Sequence, residues 1–546
     1  MARSYTATPW AYYLIRLLFK FVLKIFYGTI VVENAHLIPQ NGQPCIICSN
    51  HCNSLTDPVL LVGAVPSNRR NLIRLTAKAT QFGKGTFTSW LIEAAGAVPL
   101  KRRKDSPDIQ VDNSDTMEAL QQALEKGDAV CLFPEGMSRF HPQIAPLKTG
   151  VARLVSDVLT RNKDDPDFKI YVQTCSITYT HRQHFRSDVL ITFHPPLPFT
   201  PQGNPELIAP VDFANIRTLT SQMQQQISSG TFDSPTFDIV RSAKLATRIY
   251  APLGTNMSLG DYVRVCRAFV EVFKWAELEG NRTDNQGFTT SGSEEEDEFV
   301  VKLRCALVND FRRDLKDYQD KLVRLGIKDD RIRRPIPRRK AFFRMLVRLL
   351  WIGILLPLCF PGLVLWLPIF ATTRYAVKRH ILRSGPVWDT WDEIAQTKLV
   401  YGLASGLSVW VGCMILTLPV APITAVVVPV VMWMSLRWME DVVSAARAFV
   451  ALARLLWTGK SRLRELLRTR DELHKRVMLL AVQYLRLPED PEKYFVQSGG
   501  KEKGRVRGNW ESSVKYFSVR RRRKRDWNET LRLYDKVDYP DDSLFF

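Results

Sequence analysis

Two long stretches without a formal charge fix what this chain can fold into. Residues 349–373 and 399–436 contain no Asp, Glu, Lys or Arg. About 20 apolar residues span a bilayer, and each stretch is longer than that, so a purely soluble protein is excluded. Pro357, Pro361 and Pro368 interrupt the first stretch, and Pro419 and Pro422 the second. Arg and Lys flank both stretches on both sides, which under the positive-inside rule predicts that both ends of each face the cytosol. A re-entrant loop turning near Pro357–Gly362 and a helical hairpin near Pro419–Pro422 satisfy that rule; simple alternating spans do not.

Outside these stretches the chain is polar enough to bring the mean hydropathy to −0.12. Its 546 residues allow two to four domain-sized pieces. With 46% hydrophobic residues, whole-chain disorder is excluded. Lys and Arg number 76 against 55 Asp and Glu, a net charge of +21 that suits anionic partners: phosphate substrates, anionic lipid surfaces or nucleic acid. The nine cysteines are scattered and odd in number. That is no disulfide framework and points to a reducing, cytosolic setting.

The N-terminus has an apolar run broken by Arg16, Lys20 and Lys24. A spacing of four places these cations on one helical stripe. Leu14, Ile15, Leu17, Leu18, Phe21, Val22, Ile25 and Phe26 fill the rest, which predicts an amphipathic helix lying in the membrane interface over residues 1–35. An ordinary helix packed on its own domain is the alternative.

From about residue 40 to 200, short apolar runs alternate with helical patterns. Strands are expected at 43–50, 71–75, 97–100, 128–133, 169–179 and 188–196, and helices at 58–65, 87–96, 115–127 and 147–159. The alternation predicts an α/β layer fold, a mixed, mostly parallel sheet flanked by helices, over residues 36–235. A helical region with an acidic linker at 281–298 is expected over 236–340. The two apolar segments follow within 341–436, then amphipathic helices at 437–490 and a basic tail at 491–546.

Chemistry concentrates at expected strand ends. In SNHCNSLTDPV (49–59), His51 and Asp57 occupy the loop between a strand and a helix. Ligand crevices in open α/β sheets lie beyond the carboxyl ends of strands. There an imidazole can take a proton from a substrate hydroxyl while a carboxylate fixes its tautomer and supports the imidazolium. Asp57 before Pro58 also reads as an ordinary helix cap. GAVPLKRRKD (96–105) puts four consecutive cations after a short strand. FPEGMSRF (133–140) puts a turn at another strand end, where Glu135, Gly136 and Ser138 offer a carboxylate, a backbone N–H and a hydroxyl. Lys148 begins the next helix, where anions are favoured. Together these make a hydroxyl-activating pair beside a phosphate-binding face.

These blocks resemble the PlsC-type glycerophospholipid acyltransferases, and among them the fungal-type glycerol-3-phosphate / dihydroxyacetone-phosphate acyltransferases. The resemblance covers residues 28–235 strongly and the remainder loosely. His51 and Asp57 match the His-x5-Asp block of that branch; Gly96, Pro99 and Arg102 match Gly-x-x-Pro-x-x-Arg; residues 133–136 match Phe-Pro-Glu-Gly. The resemblance implies that His51 is the base and Asp57 its orienter. It implies that Arg102 binds the acceptor phosphate, with Lys101, Arg103 or Lys148 as helpers, and that the 133–138 block holds the glycerol phosphate. The chain departs from the wider pattern at Met137-Ser138-Arg139, where Thr-Arg-Ser is common, and at Thr174, where proline is usual.

The implied reaction moves a fatty acyl group from acyl-CoA, a co-substrate, to the sn-1 hydroxyl of glycerol 3-phosphate or dihydroxyacetone phosphate. No metal and no cofactor is expected. The expected setting is the endoplasmic reticulum membrane with the active site facing the cytosol. Expected partners are glycerol 3-phosphate, acyl-CoA and anionic membrane lipids, and no nucleic acid; the residues name no protein partner. Two alternatives stay open: a lysophosphatidate acyltransferase, and a non-enzymatic lipid-binding or membrane-shaping protein. Cys45, Cys48, His51 and Cys52 look briefly like a metal cluster, but no second ligand pair follows. RRRRKR (520–525) suits lipid headgroups better than nucleic acid in a chain with membrane segments.

Overall fold

The computed structural model describes residues 6–79, 82–85, 87–100, 114–182, 187–252, 255, 257–285, 292–327, 329–333, 337–383 and 393–498, and divides near Thr231 into two compact units. The first begins with α1 (Trp10–Phe26) and β1 (Thr29–Glu33). There follow β2 (Cys45–Ser49), α2 (Thr56–Ala64), β3 (Ile73–Lys78), α3 (Phe87–Ala94), β4 (Val98–Leu100) and α4 (Ser114–Glu125). The rest is β5 (Ala129–Leu132), α5 (Gly150–Arg161), β6 (Ile170–Tyr179), β7 (Asp188–Phe193), β8 (Leu197–Phe199) and α6 (Phe213–Ser229).

The sheet runs β1-β7-β6-β2-β5-β3-β4, with β8 paired to β6. All pairs are parallel except β6 with β7 and with β8. This is the expected mixed, mostly parallel sheet with flanking helices. A parallel strand covered on both faces needs an unbroken apolar run rather than an alternating one, and CIIC supplies it: all five residues of β2 are buried. Val151, Leu154, Val155, Val158 and Leu159 form the inner stripe of α5 and pack in one core with Ile46, Val130 and Val172. Burying each such side chain stabilises the fold by about 1.5–3 kcal/mol. The consequence for function is positional. β2, β5 and β6 are parallel neighbours, so the loop after Ser49, the turn after Leu132 and the end of β6 at Tyr179 all open at one sheet edge.

The strands β1 and β8 have no counterpart in the sequence reading. β1 falls within the segment read as interfacial helix, but pairs in register with β7, Thr29 opposite Asp188 through Glu33 opposite Thr192. The cationic stripe of α1 also needs correction. Arg16 is 5% exposed and its guanidinium donates to the carbonyls of Val65 and Arg70, just past the C-terminus of α2, where a cation is favoured. Tyr12, Ile15, Leu23 and Phe26 are buried with it. Gly63 lets α1 approach α2, since a Cβ there would lie 2.7 Å from Leu23 Cδ1. The outward face is instead Trp10, Tyr13, Leu14, Leu17 and Phe21. The helix packs on its own domain; of the three cations only Arg16 turns inward, while Lys20 stays exposed beside this aromatic face.

The following helices are α7 (Phe237–Tyr250), α8 (Leu259–Asn285), α9 (Gly292–Leu325), α10 (Asp329–Arg333), α11 (Arg338–Arg383), α12 (Glu393–Leu416), α13 (Ala421–Trp457), α14 (Lys460–Leu479) and α15 (Pro491–Gln497). The stretch read as an acidic linker is entered from both sides by helix, to Asn285 and from Gly292. Three helices, Arg338–Arg383, Glu393–Leu416 and Leu418–Trp457, are long and apolar enough to cross a membrane. The expected dip near Pro357–Gly362 is absent: α11 runs unbroken through all three of its prolines. Their spacing of four and seven places the lost N–H groups on one side, which bends a helix instead of ending it. Forty-six residues rise about 69 Å, so the basic ends of α11 extend well past an apolar core of about 30 Å. The second apolar stretch does break where its prolines predict, at the short turn Leu418–Val420. α11 and α13 pack closely: Gly362 abuts Ser435, Trp366 Nε1 donates to Met432 O at 2.9 Å, and Leu355 and Cys359 share a cluster with Val442. Later residues of one meet earlier residues of the other, so the two run antiparallel.

Candidate active site

The site is built where β2 stops and β6 continues. Asn50 completes the ladder with its side chain, accepting from Ile177 N at 2.8 Å and donating to Ile177 O at 3.0 Å. This fixes the direction in which His51 leaves the sheet. The imidazole stacks on Phe133, with ring centroids 4.3 Å apart and planes at 24°. Its Nδ1 lies 2.9 Å from Asp57 Oδ2. A carboxylate only accepts, so Nδ1 carries the proton and Nε2 is the nitrogen left to act as a base.

Asp57 is fully buried in the first turn of α2. Its Oδ2 also accepts from the N–H groups of Cys52 at 2.9 Å and Asn53 at 2.8 Å. These belong to the preceding loop, not to the helix, so the carboxylate does not serve as a helix cap. It folds the 51–57 loop around itself. Ser54, at a positive φ of 43°, is held by its N–H to Ser138 Oγ at 2.9 Å. Loop and Phe-Pro-Glu-Gly block are thus one structure.

Glu135 is 7% exposed and accepts from His51 N at 2.6 Å and from Ala145 N at 3.3 Å. Burial pushes its carboxyl above the usual range, opposed by those two N–H bonds. Both its oxygens are therefore engaged in tying three loops together, a positioning use that the spacing does not reveal. Gly136 has φ +77° and accepts no side chain, because Lys148 passes directly over it. Lys148 is anchored by its own N–H to Pro134 O at 2.8 Å.

The Lys148 ammonium and the backbone of the 133–136 turn form an anion-favouring corner in the block that holds His51. Arg182 braces the segment that follows the turn, donating to the carbonyls of Arg139 and His141 at 3.5 and 3.3 Å and lying over Phe140. Arg139 in turn donates its N–H to His51 O at 3.3 Å.

The structure therefore brings together His51, Asp57, Glu135, Gly136, Ser138 and Lys148. Arg102, with Lys101 and Arg103, lies outside the described residues. Sequence reasoning missed Asn50, Phe133 and Tyr179. The first two stand inside quoted blocks and could have been asked what they hold. Tyr179 carries no local signal, since only the sheet places it here. A substitution test follows from Gly136. Gly136→Ala combines a left-handed backbone, costing about 1–3 kcal/mol for a residue with a Cβ, with a collision against Lys148. The expected result is at least a tenfold loss of turnover with a lowered unfolding temperature, read by a steady-state assay and thermal unfolding of the same preparation.

The acyltransferase family matches residues 29–178, and the glycerol-3-phosphate acyltransferase 2 C-terminal domain matches residues 306–383. Glycerol-3-phosphate O-acyltransferase 2 of Saccharomyces cerevisiae is 21% identical over 479 residues, covering 69% of this chain and 60% of that protein. An uncharacterised acyltransferase of Schizosaccharomyces pombe is 22% identical over 272 residues, 50% of this chain and 36% of that one. The chain thus spans less than two thirds of the length of either relative. The crystal structure of the 1-acyl-sn-glycerophosphate acyltransferase PlsC from Thermotoga maritima aligns with a TM-score of 0.29 at 18% identity, over 39% of this chain and 75% of that one.

Proposed function

We propose that this chain, whose residues 29–178 match the acyltransferase family and whose residues 306–383 match the glycerol-3-phosphate acyltransferase 2 C-terminal domain, transfers a fatty acyl group from acyl-CoA to the sn-1 hydroxyl of glycerol 3-phosphate. The observation that carries the reading is the 2.9 Å contact of His51 Nδ1 with the buried Asp57 carboxylate, which leaves Nε2 as a base beside the Lys148 corner. In the proposed step the acceptor oxygen attacks the thioester carbonyl carbon and its proton passes to His51 Nε2. The tetrahedral intermediate expels the CoA thiolate, which takes the proton back from the imidazolium. General base help of this kind is worth about 10²–10⁴-fold. Lys148 and Arg102 hold the acceptor phosphate, and acyl-CoA enters as a co-substrate with no cofactor.

The three apolar helices support a membrane enzyme, and the proposed location is the endoplasmic reticulum with the catalytic domain in the cytosol. The antiparallel α11 and α13 bring their outer ends together, Arg454 Nη1 donating to Gly326 O at 3.3 Å. That supports one common side for the segments before α11 and after α13.

The test offers purified full-length protein labelled acyl-CoA with glycerol 3-phosphate, dihydroxyacetone phosphate or lysophosphatidate in parallel. Acylation of glycerol 3-phosphate is expected; acylation of lysophosphatidate alone would replace this reading with its nearest alternative. Arg102→Ala is expected to lower kcat/KM for the acceptor by tens- to hundreds-fold, a loss of about 2–4 kcal/mol, with the KM for acyl-CoA unchanged. Equal losses for both substrates would assign Arg102 elsewhere.

A further inference from the structure

Asp57 has one acceptor oxygen that the loop does not use, and the protein fills it from a distance. Tyr179, the last residue of β6, places its hydroxyl 2.5 Å from Asp57 Oδ1. Tyr27 lies against Tyr179, with ring centroids 5.9 Å apart. Asn53 Nδ2 donates to the Tyr27 hydroxyl oxygen at 3.3 Å.

The proton positions follow from chemistry. A carboxylate cannot donate, so the Tyr179 proton points at Asp57. The Tyr179 oxygen can then only accept, and the hydroxyl of the adjoining Tyr27 is the neighbour that can supply the donor. Asn53 supplies the proton that Tyr27 accepts, and the backbone N–H of the same Asn53 donates to Asp57 Oδ2 at 2.8 Å. The chain of donors closes on itself with every proton directed toward one carboxylate. Burial, and then the Asp57 charge, push the Tyr179 phenol well above its ordinary range. It is a protonated donor at any working pH.

We propose that Tyr27 and Tyr179 form a hydroxyl relay that positions Asp57 and sets the basicity of the His51–Asp57 pair, making the segment after α1 part of the catalytic apparatus. The inference rests on the catalytic reading of His51. Tyr27 directly follows α1 and is 2% exposed, so the relay reaches from the N-terminal helix across the sheet edge to the base. Donors to the anionic form favour it, and aligned hydrogen bonds reinforce one another. The other titratable groups facing the pair are Cys52 in the same loop, Cys131 of β5, Cys175 of β6 and Glu135 after β5. Burial pushes Cys131, Cys175 and Glu135 upward.

The test is the pH profile of kcat/KM for the acceptor in full-length Tyr179→Phe, Tyr27→Phe and the double variant, with His51→Gln as control. Losing a donor makes the pair more basic, so the acid limb is expected to move up by about one pH unit in Tyr179→Phe. Tyr27→Phe acts on Asp57 at one remove, through Tyr179 and Asn53, so about half that shift is expected, with the KM for acyl-CoA unchanged. The double variant should shift no further than Tyr179→Phe, because coupled residues do not add. Should Tyr179→Phe fail to fold, the smaller shift in Tyr27→Phe decides the matter alone. A wild-type acid limb in either folded variant, or additive shifts, overturns the relay. Wild-type turnover in His51→Gln would instead overturn the catalytic reading, so the two failures are distinguishable.

Discussion

His51→Gln is expected to lower kcat by about 10²–10⁴-fold while leaving the unfolding temperature within about one or two degrees of the parent. The side chain is 12% exposed and glutamine can still fill the space beside Phe133, so little packing is lost. What is lost is the basic nitrogen. Asp57→Asn should approach the same deficit by a different route, because the amide cannot support a charged imidazolium. It should also disturb the loop, since Asp57 accepts from His51, Cys52, Asn53 and Tyr179 at once. Single-turnover transfer from labelled acyl-CoA separates the cases: both variants should bind acyl-CoA and fail at the acyl step. Near-parental turnover in His51→Gln would mean that another group activates the hydroxyl.

The largest expected effect on stability lies within the second, helical unit. Asp329 is 1% exposed and accepts from Tyr318 at 2.8 Å and from Arg470 Nε at 2.9 Å. Arg470, on α14, is itself 4% exposed. Asp329→Ala leaves a guanidinium buried without its counter-charge, a loss of about 3–5 kcal/mol. Replacing both partners together, Asp329→Leu with Arg470→Leu, should cost far less, because the expensive state is the unpaired charge and not the missing pair. Unfolding of detergent-solubilised protein, followed by proteolysis within the helical unit, measures this. A single variant as stable as the parent would show that the pair contributes nothing net.

The elements of the first unit were legible because their patterns are local. The unbroken apolar run of β2, the alternation of strands with helices and the inner stripe of α5 each follow from burial at a period of 2 or 3.6. The site was legible as blocks: His51, Asp57 and residues 133–138 stand at strand ends, and parallel pairing of β2 with β5 brings such ends to one edge. The apolar length of the membrane segments was equally plain. The turn between α12 and α13 was marked by its prolines.

The remaining features depend on partners distant in sequence. β1 is a strand because β7 pairs with it. Arg16 turns inward because the carbonyls of Val65 and Arg70 wait there, whereas helical spacing alone places it on an exposed stripe. α11 stays continuous through Pro357 and Pro361 as it packs against α13, a contact between residues some 70 positions apart such as Trp366 and Met432. Glu135 spends its oxygens on backbone N–H groups of two other loops. Tyr27 and Tyr179 meet at Asp57 only after the sheet has formed. The sequence by itself determined which chemical groups this protein owns and which segments are central strand, helix or apolar span, since those follow from neighbours along the chain. Only the tertiary structure decided which way each polar group points, because a buried donor or acceptor must find its partner wherever the fold has placed one.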